Sequence, residues 1–74
     1  MLFDMSEVER VGASLRTLRE SAGMSQDELA TAIGVGTGHL HAIEEGRVVP
    51  SAAFLASAAS ALAARLLEHP LDDS

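Results

Sequence analysis

Two pairs of side chains near the middle of the chain are of the types that catalyse reactions or hold metal ions. Glu44 and Glu45 are adjacent carboxylates, and His39 and His41 lie two residues apart. General acid–base catalysis and metal binding need groups that converge on one point, whereas residues one or two apart on a helix point in different directions. The pattern therefore predicts no enzyme, no metal site and no cofactor.

A second set of side chains has the chemistry to bind phosphate. Ser25 and Gln26 stand at the start of a predicted helix, where unpaired N–H groups and the positive end of the helix dipole favour an anion. Arg47 adds a positive charge just after another predicted helix. Arg10 and Arg16 are further candidates, although both are equally well explained as ordinary solvated charges. These residues predict contacts with a polyanion.

The charge of the chain is acidic overall, but the acids are concentrated at its ends. The 74 residues carry 5 basic residues, all arginine, and 11 acids, for a net charge of −6. Between residues 10 and 50, four arginines stand against five acids, so this segment is nearly neutral. Two aromatic residues are too few for a base-stacking surface, and the absence of cysteine excludes disulfides and thiolate metal sites.

The composition also limits the partners that we expect. No apolar stretch reaches the roughly 18 residues that span a bilayer, and the acidic start is unlike a signal peptide. We therefore expect a cytoplasmic protein with no membrane partner. The chain has no room for a ligand-binding domain, so no small-molecule ligand is expected. A chain of this length buries only about 60% of its unfolded surface, which favours association with a second copy.

Two capping boxes predict where helices begin. Ser6 with Glu9 and Ser25 with Glu28 have the Ser-x-x-Glu spacing in which hydroxyl and carboxylate bond reciprocally to backbone N–H groups. The first predicts a helix over residues 7–22, and the second predicts a short helix that stops at a glycine. The apolar positions of the first helix are Val8, Val11, Leu15, Leu18 and Ala22.

Two more helices are predicted in the second half of the chain. Thr37 is the predicted N-cap of a third helix, which runs to residue 45 after a tight connection of three residues. Pro50 opens a fourth predicted helix over residues 51–68. Helix, short turn and helix is the arrangement that the middle of the chain predicts.

The fourth predicted helix is apolar on more than one side. One stripe, formed by Leu55, Ala59, Leu62 and Leu66, is predicted to cover the other three helices. A neighbouring stripe of mostly small residues is left in water unless another chain covers it. It predicts a homodimer, although alanines that merely stabilise a solvated helix are the alternative. The predicted dimer residues are Ala52, Ala56, Ala63, Leu66 and Leu67.

The ordered pattern across residues 15–62 resembles the lambda-repressor-like helix-turn-helix family, which includes phage repressors and Cro proteins. The resemblance implies an all-α domain of four or five helices with a long C-terminal helix. It implies a single domain over residues 1–74 with a core at 7–68, a helix-turn-helix at about 25–45 and an acidic tail at 69–74. The residues that carry it are Leu18, Arg19, Gly23, Ser25, Gln26, Glu28, Leu29, Ala30, Gly34, Val35, Leu40, Ile43, Glu44, Gly46, Pro50 and Ser51.

The resemblance also implies roles for particular residues. Arg19 and Glu44 are implied to form a structural ion pair, and the helix at 37–45 to enter the major groove of double-stranded DNA. The sequence departs from the family where bases are read, because Thr37, Gly38 and Ala42 include no Arg, Lys, Asn or Gln for bidentate contacts. The candidate DNA-binding residues are Ser25, Gln26, Thr37, Gly38, His39, His41, Ala42 and Arg47.

Two functions remain in competition at this point. The first is a sequence-specific DNA-binding transcriptional regulator, a homodimeric repressor with one recognition helix in each half-site. The second is a protein-interaction module of antitoxin or antirepressor type, in which the same fold binds a protein partner and DNA weakly or not at all. The weak set of base-reading residues and the acidic charge favour the second, whereas Gln26, Arg47 and the Ser25 cap favour the first.

Overall fold

The computed structural model of the protein describes residues 5–68, which form four helices and no strand: α1 (Met5–Ser21), α2 (Gln26–Ile33), α3 (Thr37–Glu44) and α4 (Ala52–Glu68). The all-α prediction with a long C-terminal helix is therefore confirmed, with four helices over this range. Within it, no helix is both long enough and apolar enough to cross a membrane. The predicted acidic tail at 69–74 lies outside the described residues.

Helix α2 begins and ends as its sequence predicts. The Ser25 hydroxyl accepts a hydrogen bond from the Glu28 backbone N–H at 3.0 Å, and the Glu28 carboxylate accepts one from the Ser25 N–H at 2.8 Å. The bond from the Ser25 backbone lowers the pKa of Glu28, because it stabilises the ionised carboxylate. At the other end Gly34 takes the left-handed conformation, with φ of 90°, and its N–H reaches the Ala30 carbonyl.

Two predicted N-caps are wrong. Helix α1 already includes Met5, so Ser6 lies inside the helix and not at its N-cap position. Thr37 is the first residue of α3, whose N-cap is Gly36 and has no side-chain hydrogen bond. The reason is that the Thr37 hydroxyl donates instead to the Asp27 carboxylate at 2.7 Å, which joins the starts of α2 and α3.

The core lies where the two middle helices meet α1 and α4. Leu29, Leu40 and Ile43 are completely buried, and Ala30 allows the two middle helices to approach closely. Helix α2 packs against α3 and α4, while α1 packs against α3. The other buried apolar residues are Val8, Leu15, Ala22, Met24, Phe54, Ala58 and Leu62.

The buried face of α4 matches the predicted stripe only in part, since Leu62 is buried and Leu66 is partly buried against the core. Phe54 and Ala58 are buried, whereas Leu55 is 38% exposed and Ala59 is exposed. Because α4 packs against α2, its inward face is rotated by about one residue from the leucine-rich stripe. Leu18, predicted to be an inward position of α1, is also 51% exposed. Leu18 and Leu55 are thus partly in water, whereas Leu15 and Leu62 are buried as predicted.

Candidate nucleic-acid interface

An open hollow of about 460 Å³ lies between α1, the start of α2 and the end of α3. It brings the predicted contacts Ser25, Gln26 and His41 to one surface and adds Arg16 from α1. The two carboxylates that the sequence places side by side also border it. The lining residues are Arg16, Arg19, Ser25, Gln26, His41, Glu44 and Glu45.

A buried ion pair forms the base of this hollow. Arg19 Nε donates to Glu44 Oε2 at 2.8 Å and Arg19 Nη2 donates to Glu44 Oε1 at 3.2 Å, a bidentate geometry. Arg19 Nη1 also donates to the Met24 carbonyl at 2.8 Å. The hydrogen bonds to Glu44 raise the pKa of Arg19. The pair therefore holds the end of α1 against the end of α3.

Gln26 is held in one orientation by its neighbours. Its Nε2 donates to Glu44 Oε1 at 3.0 Å and lies 3.3 Å from His41 Nδ1. Because a carboxylate only accepts hydrogen bonds, the amide nitrogen must face Glu44. Both amide hydrogens are thus engaged, and within residues 5–68 no donor is bound to the Gln26 side-chain oxygen. Gln26 consequently offers an acceptor, and not a donor, to a ligand.

The backbone at the start of α2 supplies the donors that the Gln26 side chain does not. The Glu28 N–H is taken by the Ser25 hydroxyl, and the Leu29 N–H by the Ser25 carbonyl at 3.1 Å. Among the described residues, the N–H groups of Gln26 and Asp27 have no acceptor. Two unpaired amides in the first turn of a helix suit a phosphate oxygen.

His41 has a partner on each ring nitrogen. Its Nε2 lies 2.9 Å from Glu45 Oε2, and its Nδ1 faces the Gln26 amide. Glu45 can only accept and the Gln26 nitrogen can only donate, so these contacts fit an imidazole that donates from Nε2 and accepts at Nδ1. A guanine edge must therefore displace the Glu45 carboxylate before His41 can donate to it.

Each exposed cation near the hollow is paired with an acid. Arg47 Nε donates to Glu45 Oε1 at 3.0 Å, and Arg16 Nε donates to Glu20 at 3.4 Å. More than half of each arginine side chain is exposed. Exposed pairs are worth about 0.2–1 kcal/mol, so a phosphate can replace either carboxylate at small cost.

The remaining candidates are spread over different sides of α3. Thr37 is engaged with Asp27, Gly38 is exposed with open space around its α-carbon, and Ala42 is half-buried. The His39 ring packs edge-on against Phe54 of α4, with centroids 6.0 Å apart and planes at 81°. His39 and His41 therefore have different surroundings, and only His41 borders the hollow.

Sequence reasoning missed the part played by Glu45 and Asp27. Glu45 bridges His41 and Arg47, and the spacing of four residues between His41 and Glu45 was the signal for it. The bond between Asp27 and Thr37 has no such local signal, because the two residues come from different helices. Within the described part of the chain, no group of three His, Asp or Glu side chains is placed to hold a metal ion.

Comparison with known proteins shows which family of domains matches the chain. A family model described as a helix-turn-helix domain matches residues 10–70, which is more than half of the chain. The match includes the hollow and the whole of α2 and α3. No curated protein matches the chain.

Proposed function

The chain belongs to the helix-turn-helix domain family, and from this premise we propose that it is a homodimeric transcriptional repressor that binds double-stranded DNA at specific sequences. In each subunit α3 enters the major groove with its first turn and its outward side, while the start of α2 binds the DNA backbone. Domains of this kind are typically regulators of transcription and not enzymes.

The observation that carries this proposal is the arrangement at the start of α2. A free acceptor oxygen on Gln26 lies beside the two unpaired backbone N–H groups of Gln26 and Asp27, on the same surface as His41. The amides suit a phosphate, and the oxygen suits a donor on a base. In the major groove such donors are adenine N6 and cytosine N4, so we expect A or C at the contacted position.

Phosphate contacts by the side chains come from Arg47 and Arg16. Arg16 is preferred to Arg10 because it borders the hollow, whereas Arg10 lies on another side of α1. Two arginines in each of two subunits give four neutralised phosphates. The logarithm of the binding constant then falls against the logarithm of salt concentration with a slope of about −3.6.

The operator is unknown, so the test begins by selecting bound duplexes from a random pool and measuring the gel shift of the selected site. Gln26→Ala and Arg47→Ala are expected to weaken the discrete complex, and Arg47→Ala also makes the salt slope shallower. His41→Ala is tested in the same way, and Thr31→Ala, an exposed position of α2 that does not border the hollow, is the control. Circular dichroism checks that each variant is folded.

The expected pattern is weaker binding for His41→Ala and Gln26→Ala with little change for Thr31→Ala. A selection that enriches no duplex, or a complex that is indifferent to both Gln26→Ala and Arg47→Ala, contradicts DNA readout. In the duplex selected from the random pool, the base contacted by Gln26 should tolerate exchange between A and C better than replacement by G or T.

The alternative is a protein-interaction module of antitoxin or antirepressor type, and one observation favours it. Arg16 and Arg47 are each paired with an acid, so the hollow presents little uncompensated positive charge. Under this alternative the wild-type chain binds no duplex even at low salt, and a protein partner binds it with an affinity that the Gln26→Ala change does not alter.

A further inference from the structure

A short hydrogen bond joins the first turn of α2 to the first turn of α3. The Thr37 hydroxyl donates to Asp27 Oδ1 at 2.7 Å, and both residues are exposed. A hydroxyl has one hydrogen and an ionised carboxylate only accepts, so this bond fixes where the Thr37 proton lies. Because the acceptor is charged, the bond is stronger than one to a neutral oxygen. Thr37 therefore keeps only lone pairs for a ligand.

Thr37 lies on the same face of α3 as the contact between His41 and Gln26. Thr37 and His41 are four residues apart, so they follow one another along one face of the helix. His41 Nδ1 is 3.3 Å from Gln26 Nε2, and Gln26 and Asp27 are the first two residues of α2. The side-chain oxygens of Thr37 and Gln26 therefore border the same junction of α2 with α3. Among the described residues, neither oxygen accepts a hydrogen bond.

We propose that Asp27 is a positioning residue for base recognition: by holding the Thr37 proton it makes Thr37 an acceptor, which selects a base that donates. In the major groove the donors are the amino groups of adenine and cytosine, whereas guanine O6 and N7 and thymine O4 accept. Guanine or thymine O4 can bond to Thr37 only after its hydroxyl has left the charged Asp27 oxygen. The inference rests on the proposed function and adds a second selective position to the one assigned to Gln26.

The two selective positions are expected to be close together in each half-site. Four residues span about 6 Å along α3, which separates Thr37 from His41 and the Gln26 side chain beside it. Successive bases of one DNA strand are about 3.4 Å apart along the duplex axis. A helix that lies in the major groove therefore places the base read by Thr37 within about two base pairs of the base read by Gln26.

The experiment measures base preference as well as affinity. Starting from a duplex that the wild-type chain selects, gel shifts compare A, C, G and T at each position of the half-site. Thr37→Val removes the hydroxyl but keeps the shape of the side chain, so the position whose preference it abolishes is the one that Thr37 reads. Thr31→Val, at an exposed threonine of α2 that does not border the hollow, is the matched control and is expected to change no preference. Circular dichroism checks the folding of each variant.

At the position that Thr37 reads, the wild type is expected to favour A and C over G and T about fivefold, the effect of one hydrogen bond. Asp27→Ala frees the hydroxyl to donate or to accept, so this ratio is expected to fall below about twofold. Loss of the Asp27 charge also raises the affinity for every duplex alike, which leaves the ratio unaffected. Thr37→Ser, which restores the hydroxyl missing from Thr37→Val, is expected to restore the preference.

A double variant separates the hydrogen bond from any other effect of Asp27. With Thr37→Val already present, Asp27→Ala is expected to change no base ratio, because no hydroxyl remains to be held. The proposal is overturned by a preference for G or T at the position that Thr37 reads, by a ratio that survives Asp27→Ala, or by a Thr37→Val variant that changes no preference. In those cases the chain still binds DNA and the proposed function stands. A wild-type chain that selects no duplex contradicts both.

Discussion

Gly12 and Gly38 offer a matched pair of substitutions for which helix propensity and tertiary structure predict different results. Both glycines lie inside helices, α1 and α3, where alanine is favoured by about 1 kcal/mol. Propensity alone therefore predicts that Gly12→Ala and Gly38→Ala stabilise the protein equally. Their surroundings in the fold differ.

Gly12 is buried where α1 crosses the end of α3. A Cβ atom at this position would lie 2.9 Å from the Glu44 carbonyl oxygen and closer still to that of Ile43. Both obstacles are backbone atoms, so neither can rotate away and the helices must separate. Around Gly38 there is nothing within 4 Å of the added atom. The small size of Gly12 is thus required for close packing of α1 on α3.

The expected magnitudes follow from these contacts. Overpacking costs about 1–3 kcal/mol, and rigid obstacles put Gly12→Ala at the upper end, so after the gain in propensity the net loss is about 2 kcal/mol. For a domain of this size that lowers the melting temperature by about 8–16 °C. Gly38→Ala is expected to stabilise the free protein by about 0.4–1 kcal/mol.

Urea denaturation followed by circular dichroism measures both free energies of unfolding, and both variants are compared at one protein concentration because self-association would make stability depend on concentration. Both variants replace glycine by alanine, so the change in the conformational entropy of the unfolded chain is nearly the same and cancels when the two are compared. If Gly12→Ala is as stable as the wild type or more stable, the close approach of α1 to α3 is wrong, and the placement of the hollow fails with it.

Three further predictions concern charged groups. Arg19→Ala leaves Glu44 buried without its partner and is expected to cost about 3–5 kcal/mol in urea denaturation, whereas an exposed pair would lose less than about 1 kcal/mol. Glu45→Gln removes the acid that is paired with His41 and Arg47, so binding to DNA no longer has to break that exposed ion pair. At about 0.5 kcal/mol for the pair in each subunit, binding to the selected duplex is expected to tighten about fivefold. Unchanged or weaker binding in the gel shift counts against this prediction. Folding lowers the pKa of Glu28, so the ionised carboxylate stabilises the protein at neutral pH, and this effect is lost as the pH falls through the folded pKa. Between pH 7 and about pH 3 the wild type should therefore lose more stability than Glu28→Gln. Equal losses would contradict the capping bond.

Features that depend on neighbouring residues could be predicted from the sequence. The Ser25 and Glu28 capping box, the stop at Gly34 and the spacing of Leu29, Leu40 and Ile43 all act over a few positions. Their hydrogen bonds and burial are set by helix geometry, which a short segment carries with it. These signals were enough to establish four helices and the family to which the chain belongs.

The candidate site was only partly predictable, because its polar side chains choose partners across helices. Eight residues were named as DNA contacts, and three of them, Ser25, Gln26 and His41, share one surface. That Gln26 offers its oxygen and not its amide hydrogens follows only from the positions of Glu44 and His41. Hydrogen-bond direction is a property of the assembled site.

The sequence by itself determined which segments are helical and where α2 begins and ends, since these depend on local hydrogen bonds and on the spacing of apolar residues. Only the tertiary structure decided which face of α4 is buried, because that helix is apolar on several sides and its orientation depends on contact with α2. The same is true of Gly12, whose missing side chain matters only where α3 lies against it. Local structure follows from near neighbours, whereas burial follows from the helix that packs alongside.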